Sequence, residues 1–152
     1  MLYYKQVLFN NEMNKREMGT RKKLANIELV AQLYSAFESK TIPKLLELLS
    51  EDVEWGEPEN PYNPAAGTKN GHAGFLEWIN IGKEAEEILL LELNQFLTDK
   101  DSVAVTGFMK CMAKKTGKIY TSDFVHLIHI KANKIIKFQE FFDTYVAGEA
   151  FR

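Results

Sequence analysis

The chain's 152 residues, 45% hydrophobic and 26% charged, suffice for one domain with a substantial core. A net charge of −2 supplies no basic field, which argues against a nucleic-acid partner, and no apolar run approaches the roughly 18 to 20 residues of a membrane span. The single cysteine, Cys111, cannot form an internal disulfide, so a reducing, cytoplasmic setting is expected, and the start of the chain lacks the features of a signal peptide.

Residues 1–22 are polar and without sustained period, and are expected to be an N-terminal appendage to a folded unit spanning 23–152. Two apolar patches in it, Leu2-Tyr3-Tyr4 and Val7-Leu8-Phe9, suit a short docking segment. From Lys23 to Ser39 the spacing of Ile27, Val30, Tyr34 and Phe37 predicts an amphipathic helix. Thr41 reads as the cap of a short second helix with Pro43 in its first turn. A brief strand over Asp52–Trp55 follows, then a proline-rich loop from Gly56 to Asn70. Asn70 is placed to cap a third helix carrying Phe75, Leu76, Trp78 and Ile79, which ends between Gly82 and Glu87. Strands are predicted over Ile88–Leu97 and Ser102–Ala113, and Asp143 is placed to cap a terminal turn.

The most patterned stretch is a hairpin, Ile119–Ile130 and Ile135–Phe142, joined by Lys131-Ala132-Asn133-Lys134. Matching the apolar rows pairs Ile130 with Ile136, Ile128 with Phe138 and Phe124 with Phe142, and sets His126 opposite Glu140. The other face carries Val125, Leu127, Ile135 and Phe141 beside His129, Lys137 and Gln139. That is too apolar for solvent and too polar for a core, as a subunit interface would be. Helices followed by a curled antiparallel sheet make an α+β domain.

The closing run Lys134-Ile135-Ile136-Lys137-Phe138-Gln139-Glu140-Phe141-Phe142-Asp143 and the earlier Glu51-Asp52-Val53-Glu54-Trp55-Gly56-Glu57-Pro58 resemble the nuclear transport factor 2-like superfamily. Within it, the chain is most similar to the SnoaL-like polyketide cyclases and their ketosteroid isomerase and limonene epoxide hydrolase relatives. The resemblance implies a conical half-barrel of curved, mostly antiparallel sheet, about three N-terminal helices enclosing a pocket, and homodimers packed through the outer sheet face. It sets Glu57 where ketosteroid isomerases carry their general base. Their phenol donor falls at Leu33, beside Tyr34. The Arg-x-Asp pair of limonene epoxide hydrolases is replaced by Gly107 and Met109, while Glu140 matches their last carboxylate. The His126–Glu140 pairing is similar in kind to a His beside a carboxylate in scytalone dehydratase.

The candidate catalytic groups are therefore His126, Glu140 and Glu57. His126 is either an acid/base tuned by Glu140 or a buried imidazole that the carboxylate satisfies. Glu57 is either a solvated loop carboxylate or an inward base beside Trp55. Tyr34, Trp55, Trp78, Met109, Cys111, Phe124, Phe138 and Phe142 are the candidate ligand contacts, suited to a small apolar or cyclic molecule and equally suited to plain core. Tyr62 is a further hydroxyl candidate. His72, His126 and His129 lie on different faces, and no metal or cofactor is expected. Three functions fit: a cofactor-independent isomerase, cyclase or dehydratase, a non-catalytic ligand-binding module, and a dimeric interaction domain.

Overall fold

A computed structural model describes residues 11–152, with side chains from residue 16 onward, so the apolar patches at Leu2-Tyr3-Tyr4 and Val7-Leu8-Phe9 lie outside the described residues. The elements run α1 (Asn11–Glu38), α2 (Ile42–Leu48), β1 (Leu49–Glu57), β2 (Gly67–Asn70) and α3 (Gly71–Ala85), then β3 (Glu86–Asp99), β4 (Ser102–Ala113), β5 (Ile119–Lys131), β6 (Lys134–Phe142) and α4 (Thr144–Phe151). The strands form one curved, open sheet in the order β2-β1-β6-β5-β4-β3. Among the described residues, only β1 and β6 pair in parallel.

Three local expectations change. Helix α1 starts at Asn11, well before Lys23. From Arg16 to Lys23 the side chains are mostly exposed, so no apolar stripe marks them. Thr41 and Asn70 sit at helix starts without making a side-chain cap, and the Thr41 hydroxyl pairs instead with that of Ser39. Gly67–Asn70, expected as loop, is an edge strand paired antiparallel with the end of β1. Its sequence lacks strand alternation because its main-chain bonds to β1, not a buried row, hold it there.

The β5–β6 hairpin turns through Ala132 and Asn133, both with positive φ, the geometry of a tight hairpin turn matched to strand twist. Phe124 pairs with Phe142, His126 with Glu140 and Ile128 with Phe138. Ile130, however, pairs with Ile135 across a bulge rather than with Ile136. The extra residue resets the alternation, so Ile135 is fully buried instead of facing outward.

The main core lies where α1 and α2 cover the sheet, with Val30, Leu33, Leu45, Val53, Val103 and Ile128 at its centre. The parallel register sets Trp55 beside Phe138, and their rings stack at 3.9 Å between centroids. A smaller cluster of Met109, Cys111, Tyr120 and Phe124 is covered by Ala147 and Ala150 of α4. The side chain of Asp143 caps that helix by accepting from the N–H groups of Tyr145 and Val146. Gly107 lies opposite Phe124 on β5; a Cβ there would sit 2.1 Å from the Glu92 carbonyl and 2.3 Å from the Phe124 ring. On the other sheet face Leu97, Val125 and Phe141 are 55%, 37% and 50% exposed. Among the described residues, no helix is long and apolar enough to cross a membrane.

Candidate functional site

Between the two core clusters lies a cavity of about 580 Å³, lined by the α1–α2 corner, α3, the end of β1, the β1–β2 loop and strands β3 to β6. The parallel register, Gly56 beside Gln139, brings the next residues along each strand, Glu57 and Glu140, to the same wall. Glu57 accepts hydrogen bonds from Trp78 Nε1 at 2.6 Å and Asn63 Nδ2 at 3.2 Å. Its carboxyl is pushed up to about 8, first by burial and then by the negative charge of Glu140. At neutral pH it is therefore mostly a neutral acid.

Glu140 is bound from behind. Its Oε1 lies 3.1 Å from His126 Nε2, and His126 Nδ1 lies 2.6 Å from the Tyr34 hydroxyl. Burial, reinforced by Glu140, raises the Tyr34 pKa, so the phenol keeps its proton and donates it to Nδ1. The imidazole then carries its own proton on Nε2 and donates to Glu140. Network logic thus assigns Nδ1 as the acceptor and Nε2 as the donor. Phe124 stacks on this ring at 4.3 Å between centroids and Tyr34 at 5.9 Å. Both imidazole nitrogens are committed and the residue is buried, so Glu140 is the member of the relay that lines the cavity.

A second polar group stands at the start of β3. Tyr120 Oη donates to Glu86 Oε2 at 2.5 Å, and both residues line the cavity. Burial is the first cause of the raised Glu86 carboxyl, which the Tyr120 bond partly offsets. The neighbouring Cys111 thiol is also raised, first by burial and then by Glu86, which keeps it protonated and unreactive. Among the described residues, no three His, Cys, Asp or Glu side chains converge as a metal site.

Of the expected site residues, Glu57, Trp78, Met109, Glu140 and Phe142 line the cavity. His126 and Tyr34 stand behind Glu140, while Trp55, Cys111, Phe124 and Phe138 are buried in the two core clusters. Tyr62 is exposed, under the Arg152 guanidinium. His72 meets the Leu49 carbonyl and His129 the Ser102 hydroxyl, both away from the cavity. Asn63, Glu86 and Tyr120 went unanticipated. Extending the inward row of β5 backward from Phe124 by twos reaches Tyr120, so that signal was present. Glu86 hides in the charged run Glu84-Ala85-Glu86-Glu87, which reads as a solvated helix end. Asn63 sits in an irregular loop, where only its turn, closed by Ala65 N–H donating to its Oδ1, fixes its direction.

Residues 30–138 match the family model of the SnoaL-like domain. Among solved structures, the chain is similar to an NTF2-like protein from Burkholderia xenovorans LB400, with 28% identity, 86% of this chain and 98% of that one covered, and a TM-score of 0.79. An NTF2-like protein of Burkholderia pseudomallei K96243 is similar at 26% identity, covering 84% and 97%, with a TM-score of 0.77. TerC, crystallised with polyporic acid, is similar at 29% identity, covering 84% and 98%, with a TM-score of 0.73. Comparison with curated proteins finds no match.

Proposed function

The chain belongs to the SnoaL-like domain family, and on that premise we propose that it is a cofactor-independent enzyme shuttling protons on a small cyclic or polyketide-like substrate. The observation that carries the proposal is one cavity holding two carboxyl groups in unlike settings: Glu57, pushed up by burial, and Glu140, hydrogen-bonded to His126. Glu140 removes a proton next to a carbonyl, with His126 and Tyr34 orienting it from behind. Glu57, holding its own proton, donates to the developing enolate oxygen or to a leaving hydroxyl. Such a pair serves isomerisation, cyclisation or dehydration. That TerC was crystallised with polyporic acid supports the reading of the cavity as a ligand site.

The test is deuterium exchange at the carbon next to the carbonyl of 2-tetralone, followed by NMR. Exchange should exceed buffer alone, and Glu140→Gln should lower it by about 100-fold or more, the usual scale for a positioned acid or base. Exchange that needs protonated Glu57 should decline as pH rises through about 8. Equal rates in wild type, variant and buffer would leave the second reading, a non-catalytic binding module built on the same cavity.

The protein acts as a homodimer in this proposal, joined through the sheet face that exposes Leu97, Val125 and Phe141. A monomer mass by light scattering at micromolar concentration would overturn that. The buried free thiol of Cys111 suits a reducing, cytoplasmic compartment.

A further inference from the structure

The donors and acceptors around the cavity are unevenly committed. Trp78 Nε1 and Asn63 Nδ2 are committed to Glu57, Tyr120 Oη to Glu86, and His126 Nε2 to Glu140. These polar side chains turn their hydrogens to the carboxyl groups, and carboxyl groups on β1, β3 and β6 reach a largely apolar cavity. Among the described residues, no Lys or Arg forms an ion pair with Glu57, Glu86 or Glu140. The basic groups of the lining, Lys40, Lys83 and Lys114, are exposed, as is Glu87. Lys114 Nζ donates to the Lys83 carbonyl.

The rest of the wall is apolar, with Phe37, Ile79, Met109 and Phe142 facing the same space. Burial disfavours the charged forms of Glu57 and Glu86, and the charge of Glu140 acts on both. Cys111 and Tyr120 beside Glu86, and His126 and Tyr34 beside Glu140, supply hydrogen bonds but no fixed positive charge. A ligand that brings both N–H donors and a positive charge would answer the two deficits at once.

We propose that this cavity selects a cyclic or aromatic amine, bound as its ammonium ion on the Glu86 carboxyl, in the field of Glu140, with its ring against the apolar wall. The proposal rests on the reading of the cavity as the ligand site and adds the charge of what fills it. A bicyclic ring system suits the volume of about 580 Å³. Binding an ammonium ion favours the ionised form of Glu86, whose carboxyl burial raises, so affinity rises with pH and protons are released.

Three probes of one shape and different charge test this by calorimetry: 2-naphthylmethylamine, 2-naphthalenemethanol and 2-naphthoate. At pH 8 the amine should bind about tenfold tighter than either other probe, equivalent to about 1.4 kcal/mol. The margin should shrink at pH 6, and paired buffers of different ionisation enthalpy should report proton release. Glu86→Gln should weaken the amine and leave the alcohol unchanged. If that variant does not fold, Tyr120→Phe frees an oxygen of Glu86 and should preserve or strengthen amine binding. Alcohol or naphthoate binding as tightly as the amine overturns the proposal while leaving the cavity a ligand site. No binding by any probe at millimolar concentration removes both.

Discussion

The two ends of the β5–β6 hairpin follow the same alternation and meet different fates. Near the turn, Ile128, Ile130, Ile135 and Phe138 are sealed in the main core with residues of α1 and α2. Toward the other end the same inward row continues as His126, Glu140 and Phe142, and there Glu140 and Phe142 face open space. Strand parity decides which side a residue faces, while the element laid across it decides whether that side is core or cavity. A polar pair is tolerated at the uncovered end because the hydroxyl of Tyr34 and the carboxyl of Glu140 close both imidazole hydrogen bonds.

Breaking the sealed end should cost most. Trp55 is 1% exposed and stacks on Phe138, so Trp55→Ala should lose about 4 kcal/mol in urea unfolding. A loss under about 1 kcal/mol would mean that this end is not the tighter of the two. Next comes the join between them. Gly107→Ala drives a methyl group into the Phe124 ring and the Glu92 carbonyl, with an expected cost of about 3 kcal/mol. Because Phe124 stacks on His126, a shifted imidazole signal should accompany that loss.

At the open end Glu140→Gln should cost about 1.5 to 3 kcal/mol, the scale of one hydrogen bond to a charged group. Nitrogen-15 NMR of His126 should show the tautomer disturbed with the fold kept; a loss comparable to that of Trp55→Ala would make the pair a core element. The effect of Glu57→Gln shows as a slope with pH rather than as a single loss. The folded carboxyl titrates near 8 against an ordinary 4.5, so the native state holds the extra proton across that window. Its contribution to stability is fully present below about pH 4.5 and is lost as pH rises through about 8. The melting temperature should therefore fall across that range in wild type and fall less in the variant.

Much of this was legible in the sequence. Alternation gave the hairpin and the His126–Glu140 register because the apolar pairs on either side, Phe124 with Phe142 and Ile128 with Phe138, admit no one-residue slip. Tertiary effects hid the remainder. The bulge at Ile136 leaves no mark in composition, so Ile135 read as outward. The edge strand Gly67–Asn70 has no buried row, and the early turns of α1 have no stripe. Trp55 and Trp78 looked alike as aromatic residues; only the folded chain shows one stacked on Phe138 and the other donating to Glu57. Neither Glu57 nor Glu86 could be placed from its neighbours, since a loop and a charged helix end both read as solvated.

The parallel pairing of β1 with β6 also bears on how the molecule folds. Glu57 and Glu140 share a wall only because the first strand is zipped to the last, with every other element of the sheet threaded between them in sequence. Closing so long a loop is entropically costly and rewarded late, while the β3-to-β6 meander forms from near neighbours. In refolding, the meander should acquire amide-exchange protection first. The two carboxyl groups should meet last, so the rise of Glu57 from its ordinary value becomes a clock for the final docking step.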